Sequence, residues 1–166
     1  FVSPVHGSSA PLTTAPLHSG RVLKASMPDS LETRLRVLED KEAIRELIAR
    51  YGPLADSGDS TGVAALWADD GNYAVGGMAE AKGRAAIAGL IDGETHRQLM
   101  KDGCAHLLGP VAIELEGDVA IARGHSVVFR QTDAGFEVWR VSANRWELER
   151  GAEGWLVRQR VNAPLD

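Results

Sequence analysis

With 166 residues, 44% of them hydrophobic and 25% charged, the chain has the length and composition of one globular domain. Eighteen basic against 23 acidic residues give a net charge of −5, and no basic run occurs, which argues against nucleic acid and anionic membranes as partners. No apolar run is long enough to span a bilayer. Cys104 is the single cysteine, so no intrachain disulfide and no cysteine-based metal site is expected, and a reducing, cytoplasmic setting is the simplest reading.

Residues 1–28 hold no Asp or Glu, four prolines (Pro4, Pro11, Pro16, Pro28) and seven Ser/Thr. Such a stretch cannot build a core, and Met27 stands just ahead of the first helical pattern. The expected division is a tail over 1–28, either a leader or an added segment, and a domain over 29–166. Asp29 and Ser30 are N-cap candidates ahead of Leu31, Leu35 and Leu38. Asp40 can cap or interrupt. Ile44, Leu47, Ile48, Tyr51 and Ala55 then follow at helical spacing, until Gly52-Pro53 distorts the helix and Ser57-Gly58-Asp59 ends it.

A short second helix, started by Asp59 or Ser60, carries Val63, Leu66 and Trp67. Asp69-Asp70-Gly71 reads as a turn into a short strand over 72–75 that Gly76-Gly77 closes. Gly83 to Leu90 and Glu94 to Lys101 read as further helices. After Gly103 the period becomes two, giving strands near 104–116, 119–131, 136–149 and 155–162. Turn signals separate them at Gly117-Asp118, Asp133-Ala134-Gly135 and Gly151–Gly154. Helices first and antiparallel strands after point to an α+β fold with the helices on one face of the sheet.

Several ordered segments resemble the SnoaL-like branch of the NTF2-like superfamily, which includes polyketide cyclases and scytalone dehydratase. They are Leu38-Glu39-Asp40-Lys41-Glu42-Ala43-Ile44-Arg45-Glu46-Leu47, Tyr51 followed by Asp56-Ser57-Gly58-Asp59, and Leu66-Trp67-Ala68-Asp69-Asp70. Gly83 ahead of Ile87, His106 at the head of a strand, and the Trp146 and Trp155 strands complete the order from Leu31 to Leu165. The resemblance implies a cone: a curved, mixed, mainly antiparallel sheet with N-terminal helices packed over a pocket. It is more specific for fold than for activity, since one fold hosts many functions.

Asp56 resembles the family's catalytic aspartate at the end of the first helix, and His106 the histidine that pairs with it. A carboxylate fixes a histidine's tautomer and stabilises its charged ring, so such a pair can remove a proton beside a carbonyl and return it elsewhere. The structural alternatives are a turn between Asp56 and Gly58 and a satisfied core or rim histidine. Asp59 is read as an N-cap.

Alternation puts Phe136, Val138, Arg140, Ser142, Asn144, Trp146 and Leu148 on one face of their strand, with Glu137, Trp139, Val141, Arg145, Glu147 and Glu149 opposite. Ser142 and Asn144 interrupt an apolar face and need partners: a ligand, water or neighbouring side chains. Their triplet resembles the scytalone dehydratase pair that holds substrate and water. His125 shares a face with Val119, Ile121, Val127 and Phe129 and is expected to look inward. Tyr73 resembles a family tyrosine that hydrogen-bonds substrate, with core packing as the alternative. Trp146 and Phe129 would be pocket walls.

Two departures from scytalone dehydratase stand out. Ala55 occupies the place of a tyrosine, and Gln131 falls near its second catalytic histidine, which makes scytalone itself an unsuitable substrate. Cys104, His106, His96, His125, Asp69 and Asp70 match no recognised metal spacing, and no dinucleotide or phosphate loop is present. The expectation is therefore a lyase or isomerase of dehydratase or cyclase type, free of metal and organic cofactor, acting on a small hydrophobic oxygenated metabolite. The alternative is a non-catalytic binder or an assembly subunit, like the small β subunits of aromatic-ring dioxygenases. Trp139 and Val141 on the outer sheet face suggest a homodimer or larger homo-oligomer.

Overall fold

Ser30 starts the first helix by accepting the Thr33 N–H on its hydroxyl at 3.1 Å. The computed structural model describes residues 30–76 and 79–165, so the tail set apart by composition lies outside the described residues. Helix α1, Leu31–Asp56, runs without a break. Asp40 does not interrupt it. Its buried carboxylate accepts Arg150 Nη2 at 2.7 Å and the Trp155 indole N–H at 3.1 Å, so a tertiary network holds it inside the helix. Pro53 lies within the last turn and lacks the N–H that would bond to the Ala49 carbonyl, yet the helix continues past it to Asp56.

Asp59 caps α2, Ser60–Ala65, through the Gly62 N–H at 2.7 Å. Strand β1, Trp67–Val75, begins five residues earlier than the turn signal at Asp69-Asp70 suggested, and a second short strand, β2, Ala79–Lys82, pairs with it. Helices α3, Arg84–Asp92, and α4, Glu94–Asp102, lead to β3, Cys104–Glu116, β4, Val119–Thr132, β5, Gly135–Gly151, and β6, Gly154–Pro164. The strand order is β2-β1-β6-β5-β4-β3, antiparallel except for the parallel β1/β6 pair. The sheet is thus mixed and mainly antiparallel.

The Ile44, Ile48, Tyr51 and Ala55 stripe of α1 packs on Trp67, Trp146, Leu148, Val157 and Ile87 to form the core. Irregular registers bend the sheet round this core at Leu108/Val111, Val128/Phe129 and Glu147/Leu148. Each also reverses which residues face inward. No helix among the described residues is long and apolar enough to cross a membrane.

Candidate active site

The site begins with a close approach between α1 and the edge strand β3. A Cβ on Gly52 would lie 2.3 Å from the His106 carbonyl oxygen, so only glycine lets the strand come this near. One turn later, Asp56 reaches the exposed edge of β3. Its carboxylate accepts the His106 backbone N–H at 2.9 Å and the ring Nδ1–H at 2.6 Å. The carboxylate therefore covers an unpaired edge donor and orients the imidazole together. With Nδ1 as donor, Nε2 of the neutral ring carries the lone pair.

Burial pushes the Asp56 carboxyl upward, but the ring and backbone hydrogen bonds from His106, its charge, and the Cys104 thiol together bring it below the ordinary value. Cys104 shows the reverse: burial and the neighbouring Asp56 charge push its thiol up to about 12, so it stays protonated and donates to Asp56 at 3.5 Å. Although the cysteine count suggested no such site, Asp56, Cys104 and His106 offer three metal-type donor atoms within 4.8 Å of one another. Two of these donors are already joined through a proton and the third holds its own, so a cation would have to displace both.

His106 lines a cavity of about 250 Å³ between the helices and the concave side of the sheet. Tyr51, Tyr73, Leu108, Val128 and Trp139 supply aromatic and aliphatic wall, and His96, Arg140, Arg160 and Asn162 supply polar groups. The His96 ring lies 5.5 Å from that of His106, and its Nε2 donates to the Ala55 carbonyl at 2.9 Å, leaving Nδ1 as an acceptor. Burial holds the His96 ring's pKa below its ordinary value, which keeps it neutral.

A family model described as a SnoaL-like domain matches residues 36–161. The chain belongs to this SnoaL-like family. An NTF2-like protein with a cystatin-like fold from Novosphingobium aromaticivorans is 61% identical, with 84% of this chain and 93% of that one covered at a TM-score of 0.81. The fold is accordingly NTF2-like. Two more distant structures share the fold. Hexachlorocyclohexane dehydrochlorinase LinA-type3 from Novosphingobium barchaimii is 17% identical over 80% of this chain and 91% of that one, with a TM-score of 0.70. ActVI-ORFA from Streptomyces coelicolor is 19% identical over 75% and 96%, with a TM-score of 0.64. No curated protein matches.

Within this SnoaL-like domain the expected site residues separate into three groups. His106 and Tyr73 line the cavity, with the Tyr73 hydroxyl 3.4 Å from that of Tyr51, while Asp56 holds His106 without itself lining it. Ser142, Asn144 and Trp146 do face inward, but as a buried layer behind the cavity wall. Asn144 Nδ2 donates to Ser126 Oγ at 2.8 Å, and its Oδ1 accepts from Arg160 and Asn162, so neighbouring side chains satisfy it.

His125 and Phe129 lie on the opposite face from the one expected. The inward residues of β4 are Ala120, Ala122, Ser126 and Val128, which leaves His125 exposed with Val127 and Phe129 beside it. The larger apolar residues of this strand cover the outer face, and apolarity alone chose the wrong one. The register irregularity at Val128/Phe129 likewise turns Phe136 and Val138 outward and brings Trp139 to the cavity. Residues the sequence reading missed as wall groups are Tyr51, His96, Trp139 and Arg160.

Proposed function

We propose that the protein is a lyase or isomerase of dehydratase or cyclase type acting on a small oxygenated metabolite. One observation carries this: the 2.6 Å contact between Asp56 and the His106 Nδ1–H at the wall of a mostly apolar cavity. Asp56 fixes the tautomer, and Nε2 of His106 takes a proton from an acidic C–H. The imidazolium then returns that proton to a leaving hydroxyl, to an oxyanion, or to another carbon. The Asp56 charge stabilises the imidazolium while it exists. The protein named as a dehydrochlorinase shares this fold, which supports elimination as a chemistry the scaffold can host.

The reading is tested by NMR-detected deuterium uptake at the acidic C–H of a small enolisable ketone such as 2-tetralone. Wild type should accelerate exchange, and Asp56→Asn and His106→Ala should each slow it roughly 10²–10⁴-fold while folding normally. Full exchange activity in either variant removes the acid–base pair from the mechanism.

We also propose that two copies assemble through the outer sheet face. Leu107, Phe136, Val138 and Val141 are exposed there. Charges on that face include two pairs within the chain, Arg123 with Glu114 at 2.7 Å and Arg145 with Glu147. Pairing of these charges within the chain reduces like-charge repulsion when the apolar face meets its own copy.

A further inference from the structure

Arg160 is 2% exposed and carries no ion pair among the described residues. Its Nε and Nη2 both donate to Asn144 Oδ1, at 3.0 and 2.8 Å, while Nη1 has no hydrogen-bond partner among the described protein groups. Three rings surround the guanidinium carbon: Trp146 at 4.1 Å, Tyr51 at 4.2 Å and Tyr73 at 4.7 Å. Their faces stabilise a cation, but they do not neutralise it. A guanidinium keeps its proton even when buried, so the missing countercharge cannot be avoided by deprotonation.

The same wall presents a complementary acceptor. Because Asn144 Nδ2 is committed to Ser126, its Oδ1 faces inward to three N–H groups, one of them Asn162 Nδ2 at 3.0 Å. That contact fixes the Asn162 amide, and its buried Oδ1 is left without a donor. Arg160 and Asn162 both line the cavity, and Arg140 adds a second positive side chain. The acidic residue on this lining, Glu94, is exposed.

We propose that the cavity takes an anionic ligand, with a delocalised oxyanion on Arg160 Nη1 and a nearby hydroxyl donating to Asn162 Oδ1. The substrate class is a small hydroxylated carboxylic acid or ionised enol or phenol, flat enough to lie among Tyr51, Tyr73 and Trp139. This rests on reading the cavity as the substrate site and narrows the oxygenated metabolite proposed above. It adds a binding contact and no chemical step.

The probes are salicylate, benzoate, salicylamide and 4-nitrophenolate, measured by calorimetry and by thermal shift on the full chain. Salicylate should bind roughly 10- to 100-fold more tightly than salicylamide, the range for a charge-assisted hydrogen bond, with benzoate between them. Equal binding of 4-nitrophenolate would support an ionised enol or phenol as the oxyanion, and its failure beside salicylate would support a carboxylate. Arg160→Met should erase the preference for salicylate over salicylamide. Asn162→Asp, which supplies an internal countercharge to Arg160, should erase it without depending on loss of the arginine.

Equal affinity for salicylate and salicylamide in wild type, or no binding of any anion, would overturn the proposal, as would retained preference in Asn162→Asp. Asp56→Asn should keep salicylate affinity. Anion binding that survives while Asp56→Asn also keeps full deuterium exchange would sink the acid–base pair alone. Exchange that depends on Asp56 without any anion preference would sink the anion site alone.

Discussion

Replacing Gly52 by alanine sets two effects of opposite sign against each other. In an open helix the change would stabilise by about 1 kcal/mol, because alanine is the better helix former. Here the new Cβ would stand 2.3 Å from the His106 carbonyl oxygen, a backbone atom that cannot rotate away. Restoring an ordinary carbon–oxygen contact of roughly 3.3 Å requires β3 to retreat by about 1 Å. Overpacking of this kind costs typically 1–3 kcal/mol, and a retreating strand also stretches the 2.6 Å bond between Asp56 and His106. With the stretched hydrogen bond added, the steric side wins, and Gly52→Ala should lose up to roughly 2 kcal/mol net in urea unfolding. Its deuterium-exchange activity should fall on the order of 10²-fold, as for a misplacement of about 1 Å at a catalytic group. A variant as stable and active as wild type would refute the close approach and the placement of His106 built on it.

Trp146→Ala should cost about 3–5 kcal/mol, because it empties a fully buried site and strips one ring from the Arg160 cage. Urea midpoints below a loss of about 1 kcal/mol would place this side chain outside the core. Asp40, through its hydrogen bond to Arg150, and Asp56, through His106, are both depressed below 3.8 in the folded state. A depressed carboxyl stabilises above its unfolded pKa and loses that contribution as pH falls, so melting temperature should drop from about pH 4 downward. Asp40→Asn should flatten part of that acid limb, and an unchanged limb would disconnect Asp40 from it. Light scattering at micromolar concentration should give a dimer that Phe136→Asp with Val138→Asp converts to a monomer. A monomeric wild type would contradict assembly through the outer face.

The fold was legible where one periodic pattern had one explanation. The α1 stripe from Ile44 to Ala55, the Asp59 cap and the four long strands all occur where the sequence placed them. The continuous α1 was harder to see, since an aspartate inside a helix reads as a cap until Arg150 and Trp155 are known to reach it. At Asp69-Asp70-Gly71 the turn signal was real but local. The chain stays in β1 and absorbs those residues in the register gap between Trp67 and Asn72.

Asp56 and His106 could be paired from the sequence because their motif positions are distinctive, although 50 residues separate them. Arg160 could not. Trp155 and Val157 face inward, and strict alternation would continue through Gln159, but the irregularity between Glu147 and Leu148 shifts the parity and turns Arg160 and Asn162 inward instead. His125 and Phe129 failed for a related reason: β4 is apolar on both faces, so hydrophobicity carried no information about which face was the cavity.

In the proposed mechanism Asp56 holds His106 with Nδ1 protonated and Nε2 bare, ready to act as base at the cavity wall. Nitrogen-15 NMR of histidine-labelled protein, at a pH where the His106 ring is neutral, reads this directly. Wild type should show a protonated Nδ1 whose hydrogen-bonded proton is shifted downfield and loses that shift in Asp56→Asn, with Nε2 at the chemical shift of an unprotonated nitrogen. A neutral ring protonated at Nε2, or a spectrum indifferent to Asp56→Asn, would contradict it.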